Sequence, residues 1–417
     1  MHPPSVHGRA GHQVGLRDVE AAARLLDSVV LHTPVQGSRL LSELVGGPVW
    51  VKCENLQRAG SFKIRGAYTR IAGLTAVERA HGVVAASAGN HAQGVALAGR
   101  LLGAPVTVFM PHGASLAKEN ATRGYGADVR LAGTTIDEAL LAAGAFARAE
   151  GAVLVHPFDH PDVVAGQGTV GLEILDQVPD VATVVVCTGG GGLLAGIAVA
   201  VKTRRPDVRV VGVQAAGAAA WPGSLSAGRP VALAGMATIA DGIAVGRPGN
   251  VPFPIVADLV DDIVTVPDAS LTRALVLLLE RSKLVVEPAG AAAFAAVLDD
   301  PSRFRPPVVV VASGGNVDPL LLLRIVRHGL VAAGRYLSLE VQVPDSPGAL
   351  VAVLSELAAA DVNVLEVVHE RTSARLAVGE VAIALAVETR GPIHSAAALG
   401  ALRERGWLVR DTGPTVG

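Results

Sequence analysis

The stretch VATVVVCTGGGGLLAGIAVAV, residues 181–201, decides the fold. It runs 21 residues without a charge, and about 20 apolar residues suffice to cross a bilayer. Four consecutive glycines, Gly189 to Gly192, break it in the middle, and glycine weakens a helix interior. The residues before the break are valine-rich and those after it are Ala/Leu-rich. The run therefore reads as a buried strand, a glycine turn and a helix. The same punctuation recurs on both sides. Strand candidates include Val49–Cys53, Gly82–Ala86, Val106–Met110, Val153–Val155, Val181–Cys187, Val208–Gln214, Ile263–Val266 and Pro307–Ala312. Their continuous apolar runs suit strands covered on both faces, and the amphipathic stretches between them predict a mainly parallel α/β sheet. Glycine-rich turns fall at the strand C-terminal ends, where open α/β sheets place ligands.

After Gly334 the texture changes. Tyr336–Val343 alternates like a half-buried strand, and Asp345-Ser346-Pro347-Gly348 turns into a helix ending near Ala360. Strands at Asn363–Arg371 and Gly379–Thr389, a helix from Ile393 to Arg405 and a strand near Trp407–Arg410 complete β-α-β-β-α-β, the ferredoxin-like order. The expected organisation is a flexible N-terminus over 1–15 and a catalytic domain over 16–330. A smaller lobe, about 55–160, is inserted in the larger one. The boundary falls between Gly329 and Tyr336, and a second domain follows over 336–417.

Composition narrows the function. The chain has 417 residues, of which 50% are hydrophobic, 17% charged and 3% aromatic, with a net charge of −2. A nucleic-acid binder needs a basic surplus or stacking aromatics, and this chain has neither. The two cysteines, Cys53 and Cys187, have no metal-ligand spacing and read as buried thiols. Met1 to Gly15 lacks the apolar core of a signal peptide. A cytoplasmic protein with no membrane partner is expected, and the mean hydropathy of +0.45 is read as buried strands. Only five of the 35 basic residues are lysines: Lys52, Lys63, Lys118, Lys202 and Lys283.

Four local features carry chemistry, each with a plainer alternative. Lys63 lies between Phe62 and Ile64, an apolar setting that lowers an amine pKa and favours Schiff-base chemistry; the alternative is a surface lysine starting a helix. Ser87-Ala88-Gly89-Asn90-His91 presents N–H donors at a helix start, sized for a carboxylate, or is an ordinary N-cap. Thr188-Gly189-Gly190-Gly191-Gly192-Leu193 leaves backbone N–H groups open to a phosphate. Gly190, Gly192 and Ala195 also satisfy a loose dinucleotide pattern, but the following strand ends in Gln214 where a ribose-binding acid belongs. Ser313-Gly314-Gly315-Asn316 puts a hydroxyl at a strand end, or is a simple turn. Together they call for one ligand with a phosphate, an aldehyde for the lysine and a ring needing a polar partner. That ligand is pyridoxal phosphate.

At these residues the chain resembles the threonine dehydratase (threonine ammonia-lyase) family, in the group of pyridoxal-phosphate enzymes with the tryptophan synthase β-like fold. Glu54-Asn55-Leu56-Gln57, Ser61 to Ala67, Ser87 to Gly94, the tetraglycine, Glu287-Pro288-Ala289-Gly290-Ala291 and Ser313 to Asn316 occur in the family's order, over about Arg17 to Leu330. The tail from Tyr336 resembles an ACT domain. Its Asp345-Ser346-Pro347-Gly348 matches that module's ligand-side turn, and His369-Glu370-Arg371 is typical of short-form members. The implied fold is a two-lobed open parallel-sheet α/β unit plus a ferredoxin-like ACT domain.

The resemblance also implies roles. Lys63 bonds the cofactor and is the catalytic acid/base, Phe62 packs on the ring and Asn90 meets the ring hydroxyl. Gly189, Gly190, Gly191, Gly192 and Leu193 hold the phosphate, and Ser313 meets the ring nitrogen. Ser87, Asn90 and His91 hold the substrate carboxylate. The implied reaction takes L-threonine to 2-oxobutanoate and ammonia, and L-serine to pyruvate, within amino-acid metabolism that includes isoleucine biosynthesis. The implied assembly is a homodimer or homotetramer, with an amino-acid effector at the ACT domain.

Two departures qualify this. Relatives that racemise serine carry a second serine where this chain has Ala88, which argues against efficient racemisation. Some place a cation-binding glutamate where Gln214 stands, so no divalent metal site is expected, although backbone carbonyls leave room for a monovalent cation. The competing readings are a serine racemase or other β-eliminating relative, and an amino-acid sensor acting through the ACT domain without turnover.

Overall fold

The computed structural model describes residues 13–371 and 376–412. Most of the expected flexible N-terminus thus lies outside the described residues. The chain divides between Asp318 and Pro319 into two compact units.

The first unit carries strands β1 (Val35–Gly37), β2 (Val49–Lys52), β3 (Val83–Ala86), β4 (Val106–Met110), β5 (Asp128–Leu131), β6 (Val153–Leu154), β7 (Thr183–Cys187), β8 (Arg209–Ala215), β9 (Asp262–Val266) and β10 (Val308–Val311). They form two sheets. The larger has the order β1-β2-β10-β7-β8-β9 and the smaller β5-β4-β3-β6. All pairings are parallel except the edge pair β1–β2. This is the two-lobed α/β architecture expected.

The opening stretch behaves as its composition demands. Every residue of β7 is buried, and the helix Gly192–Arg204 is buried from Gly192 through Val201. That helix crosses the helix Pro161–Gln177 at a glycine contact. A Cβ on Gly196 would sit 2.3 Å from the Val164 carbonyl oxygen, and one on Gly168 would sit 2.8 Å from that of Gly196. Two backbones meet where side chains would separate them. The smaller sheet is likewise covered on both faces. Val83, Ala85, Val108 and Met110 enter one apolar cluster with Ile64, Ile71 and Val95. Val84, Ala86 and Phe109 enter another with Ala139 and Ala143. Successive residues of a strand point to opposite faces, so a strand buried on both sides loses the polar alternation. Strands β1 and β5 carry no such signal in the sequence. The first is three residues long, and the second, Asp-Val-Arg-Leu, buries only Val129.

The second unit contains the helix Pro319–Ala332, β11 (Tyr336–Pro344), the helix Ala349–Ala359, β12 (Asn363–Glu370), β13 (Glu380–Glu388), the helix Pro392–Glu404 and β14 (Leu408–Asp411). Its antiparallel sheet has the order β12-β13-β11-β14, the ferredoxin-like topology. Leu337, Leu339, Val341 and Val343 of β11 meet Val387, Leu385, Ile383 and Val381 of β13 across the ladder and form its core with Val353 and Leu402. The division falls earlier than the stretch 329–336 marked from sequence, because the helix Pro319–Ala332 packs on β11 and goes with the tail.

Candidate active site

Two motifs distant in sequence are stitched together at the end of β10. Ser61 pairs with Gly314, the Phe62 N–H donates to the Ser313 carbonyl at 3.3 Å, and the Gly315 N–H donates to the Gly60 carbonyl at 2.9 Å. This pairing delivers Lys63 as the first residue of the helix Lys63–Ala72. Its Nζ donates to the Pro157 carbonyl at 3.0 Å and stands 5.2 Å from the Phe62 ring centre. Burial pushes the Lys63 pKa down to about 8, against the attraction of Cys187 and Glu287.

The glycine loop is fixed from its carbonyl side. Trp221 Nε1 donates to the Gly189 carbonyl at 2.7 Å, and the Gly249 N–H donates to that of Gly190 at 3.0 Å. Gly191 has φ +100°, and a Cβ there would lie 2.3 Å from the Trp221 ring. A Cβ on Gly190 would lie 2.4 Å from the Phe158 ring. Phe158 follows Pro157, the acceptor for Lys63, so one short segment joins the amine to the loop. Among the described residues, the N–H groups of Gly189 to Leu193 reach no backbone acceptor, and from Gly191 onward this is what the start of a helix requires. Gln214 braces this wall: its Oε1 accepts from the Trp221 N–H at 2.9 Å, and its Nε2 donates to the Ala218 carbonyl at 3.2 Å.

Asn90 is held in a chain of amides. Its Nδ2 donates to Glu287 Oε1 at 2.5 Å, and its Oδ1 accepts from Asn316 Nδ2 at 2.7 Å. Burial, the dominant cause, raises the Glu287 carboxyl to about 7. Ser313 is buried, and its Oγ accepts from the Cys187 thiol at 3.1 Å. Both cysteines are free and buried. Ser87 Oγ accepts from the Gly89 N–H at 3.1 Å, just before the helix Asn90–Leu102. His91 points elsewhere. Its Nε2 lies 2.7 Å from the Val155 carbonyl, so that nitrogen carries the proton and donates. Burial first, then Lys63, lowers its pKa to about 3. The imidazole is neutral with only an acceptor nitrogen left; what His91 can offer an anion is its backbone N–H.

Beneath the helix Lys63–Ala72 lies a buried set of charges that sequence reasoning did not single out. Arg65 grips Glu54 through Nε and Nη2, both at 2.8 Å, and reaches Glu173 at 2.6 Å. Lys52 bonds the other oxygen of Glu173 at 2.5 Å and the Thr33 carbonyl at 2.7 Å. Lys52, Glu54 and Arg65 are fully buried. Glu287, Asn316 and Phe158 also gain their importance only in three dimensions. The motif Glu287 to Ala291 was visible, but nothing in the chain marked its carboxyl as Asn90's partner. No group of three or more His, Cys, Asp or Glu side chains among the described residues could hold a metal ion.

A part-buried amine with its pKa lowered to about 8, a glycine loop whose N–H groups reach no backbone acceptor among the described residues, and a buried neutral hydroxyl beside Cys187 fit the aldehyde, phosphate and ring nitrogen of pyridoxal phosphate. The chain belongs to the pyridoxal-phosphate dependent enzyme family, whose profile matches residues 26–314. Among particular relatives, it is 46% identical to the L-threonine ammonia-lyase of Thermotoga maritima over 400 residues, 96% of this chain and 100% of that one. It is 42% identical to a catabolic L-threonine dehydratase of Escherichia coli over 308 residues, 73% of this chain and 94% of that one. Of solved structures, a T.th. threonine deaminase superposes with a TM-score of 0.70 at 42% identity, covering 73% of this chain and 99% of that one. Maize serine racemase gives 0.72 at 35% identity, covering 75% and 97%.

Proposed function

We propose that this chain is a pyridoxal-phosphate dependent threonine ammonia-lyase, converting L-threonine to 2-oxobutanoate and ammonia and L-serine, secondarily, to pyruvate. The observation that carries the reading is Lys63: a part-buried amine held by the Pro157 carbonyl at 3.0 Å, with its pKa lowered to about 8, and joined through Pro157 and Phe158 to the glycine loop. Its match over the full length of a threonine ammonia-lyase supports the substrate.

In this reading the N–H groups of Gly189 to Leu193 would hold the cofactor phosphate, Lys63 would bond the aldehyde carbon and Phe62 would pack on the ring. Asn90 meets the ring hydroxyl and Ser313 the ring nitrogen. When bound, pyridoxal phosphate supplies an electron sink for charge at the substrate α-carbon. Ser87 and the N–H groups of Asn90 and His91 orient the substrate carboxylate at a positive helix end. Once the substrate amine has taken its place at the aldehyde carbon, the freed Lys63 amine would take the α-proton, since a base works best with its pKa near the working pH and this one is lowered to about 8. Ser313 accepts the Cys187 S–H and keeps its own O–H for the ring nitrogen. A neutral hydroxyl there draws charge less strongly than a carboxylate pair would, which favours prompt loss of the β-hydroxyl. The test is Lys63→Ala, which abolishes both the visible absorbance of the loaded protein and oxo-acid production. Retention of both overturns the reading.

The likeness to serine racemase favours a second reading, which the same preparation separates: L-serine is offered and D-serine assayed against pyruvate. Ala88 argues for pyruvate. A protein that binds threonine without turning it over would instead be a sensor. We further propose that the first unit, which ends at Asp318, catalyses and that the ferredoxin-like fold from Tyr336 on is an ACT domain, pairing in a cytoplasmic homodimer or homotetramer. Its effector, an amino acid, would bind at the Asp345-Ser346-Pro347-Gly348 turn. No helix among the described residues is long and apolar enough to cross a membrane. Rates with and without branched-chain amino acids, together with sedimentation, test this.

A further inference from the structure

Four of the five lysines have settled places. Lys63 is the candidate catalytic amine, Lys52 belongs to the buried charge set, Lys202 pairs with Asp261, and exposed Lys283 bonds the Glu280 carbonyl. Lys118, on the helix Leu116–Gly124 of the smaller lobe, is different. Its Nζ lies 2.7 Å from Asp241 Oδ2, which follows β8 in the larger lobe. The pair is lopsided: the Lys118 side chain is 14% exposed and that of Asp241 60%. The ammonium sits inside and the carboxylate reaches in from solvent. A Cβ built on Gly89 finds one atom within 4 Å, and that atom is Lys118 Nζ at 4.0 Å. Gly89 caps the helix Asn90–Leu102, whose first N–H groups are the donors assigned above to the substrate carboxylate. Lys118 and Asp241 both act electrostatically on Glu287, the partner of Asn90.

We propose that Lys118 is a further substrate-binding residue, supplying a full positive charge to the α-carboxylate from beside Gly89 at the start of the Asn90 helix, with Asp241 stationing it there. The inference rests on the reading of residues 87–91 as the carboxylate pocket. A helix end contributes about half an elementary charge, and the substrate carboxylate carries a whole one. An ammonium beside Gly89 completes the balance, and glycine leaves the space between them open. Asp241 plays the part of the absent carboxylate. Because the Asp241 carboxylate is largely solvated, it can return to water when substrate arrives, and the substrate carboxylate takes its place beside the ammonium.

The test uses the full-length protein loaded with cofactor. Lys118→Met raises KM for L-threonine on the order of tenfold or more, the usual consequence of removing one charge-assisted bond, while kcat falls far less, and Lys118→Arg restores part of the loss. The second readout does not need turnover. L-Alanine and L-alaninamide lack a β-hydroxyl to expel, and their binding is followed by the visible absorbance of the loaded protein. The preference for the acid over the amide falls about tenfold in Lys118→Met, and Asp241→Asn keeps it at or above the wild-type ratio. An unchanged ratio in Lys118→Met overturns the proposal. So does an Asp241→Asn variant that loses as much as Lys118→Met, because the ion pair would then act only as a tie between lobes. Wild-type protein without visible absorbance or oxo-acid production would refute the lyase reading itself, a separate outcome.

Discussion

Replacing Gly190 with alanine tests whether Phe158 shapes the glycine loop proposed to hold the phosphate. The added Cβ would lie 2.4 Å from Cγ, Cδ2 and Cε2 of the Phe158 ring, where an ordinary carbon contact is about 3.5–4 Å. Something must move by roughly 1 Å, and both sides are held. The Phe158 ring stacks edge-on against His156 at 4.6 Å, and His156 Nδ1 accepts from the Phe158 and Asp159 N–H groups. Asp159 in turn accepts from the Val251 N–H at 2.7 Å. Across the contact, the Gly190 carbonyl is tied to Gly249. Overpacking of this kind costs about 1–3 kcal/mol. If the loop yields, a hydrogen bond to the phosphate goes with it, and bonds to charged groups are worth about 1.5–3 kcal/mol. Cofactor affinity then drops on the order of 10–100-fold. Equilibrium dialysis measures the affinity, and thermal melting of the cofactor-free protein separates loss of fold from loss of binding. Gly223→Ala is the matched control, since its Cβ meets nothing within 4 Å. Phe158→Ala in the Gly190→Ala background should recover most of the loss. Wild-type affinity in Gly190→Ala, or strictly additive effects in the double variant, would refute the argument.

Three further outcomes follow from the buried charges. Arg65→Met leaves Glu54 and Glu173 short of a partner, and breaking a buried pair costs about 3–5 kcal/mol; a urea midpoint shift worth less than about 1 kcal/mol would contradict the network's role. Glu287 stays protonated in the fold up to about 7, above its unfolded value, so its contribution is fully present at low pH and is lost as pH rises from about 4.5 to 7. That slope is about 1.4 kcal/mol per pH unit at most, and Glu287→Gln should flatten it in denaturation curves of the cofactor-free protein. Lys63 runs the other way. Its folded pKa lies below its unfolded one, so cofactor-free protein gains stability as pH climbs from about 8 towards 10.5, and Lys63→Met should remove that gain.

What could be read in advance divides along a physical line. Val181–Cys187 announced β7 because a strand covered on both faces tolerates only apolar residues, and each of its residues is buried. The glycines announced the loop because Gly191 takes φ +100° and neither Gly190 nor Gly191 has room for a Cβ. Lys63 stood out because lysine is scarce and this one has apolar neighbours. In each case the cause lies within a few residues of the effect. Glu287 and Asn316 fix Asn90 from 197 and 226 positions away, and Glu173 reaches Arg65 across 108. No local pattern encodes such pairings, because the fold supplies the proximity. His91 makes the distinction sharpest. It lies inside the motif that sequence assigns to the carboxylate, yet the Val155 carbonyl claims its ring proton. The motif's shape was legible because a helix start offers the N–H groups of whatever residues occupy it. The side chain's commitment was not, because it depends on a strand end 64 positions away.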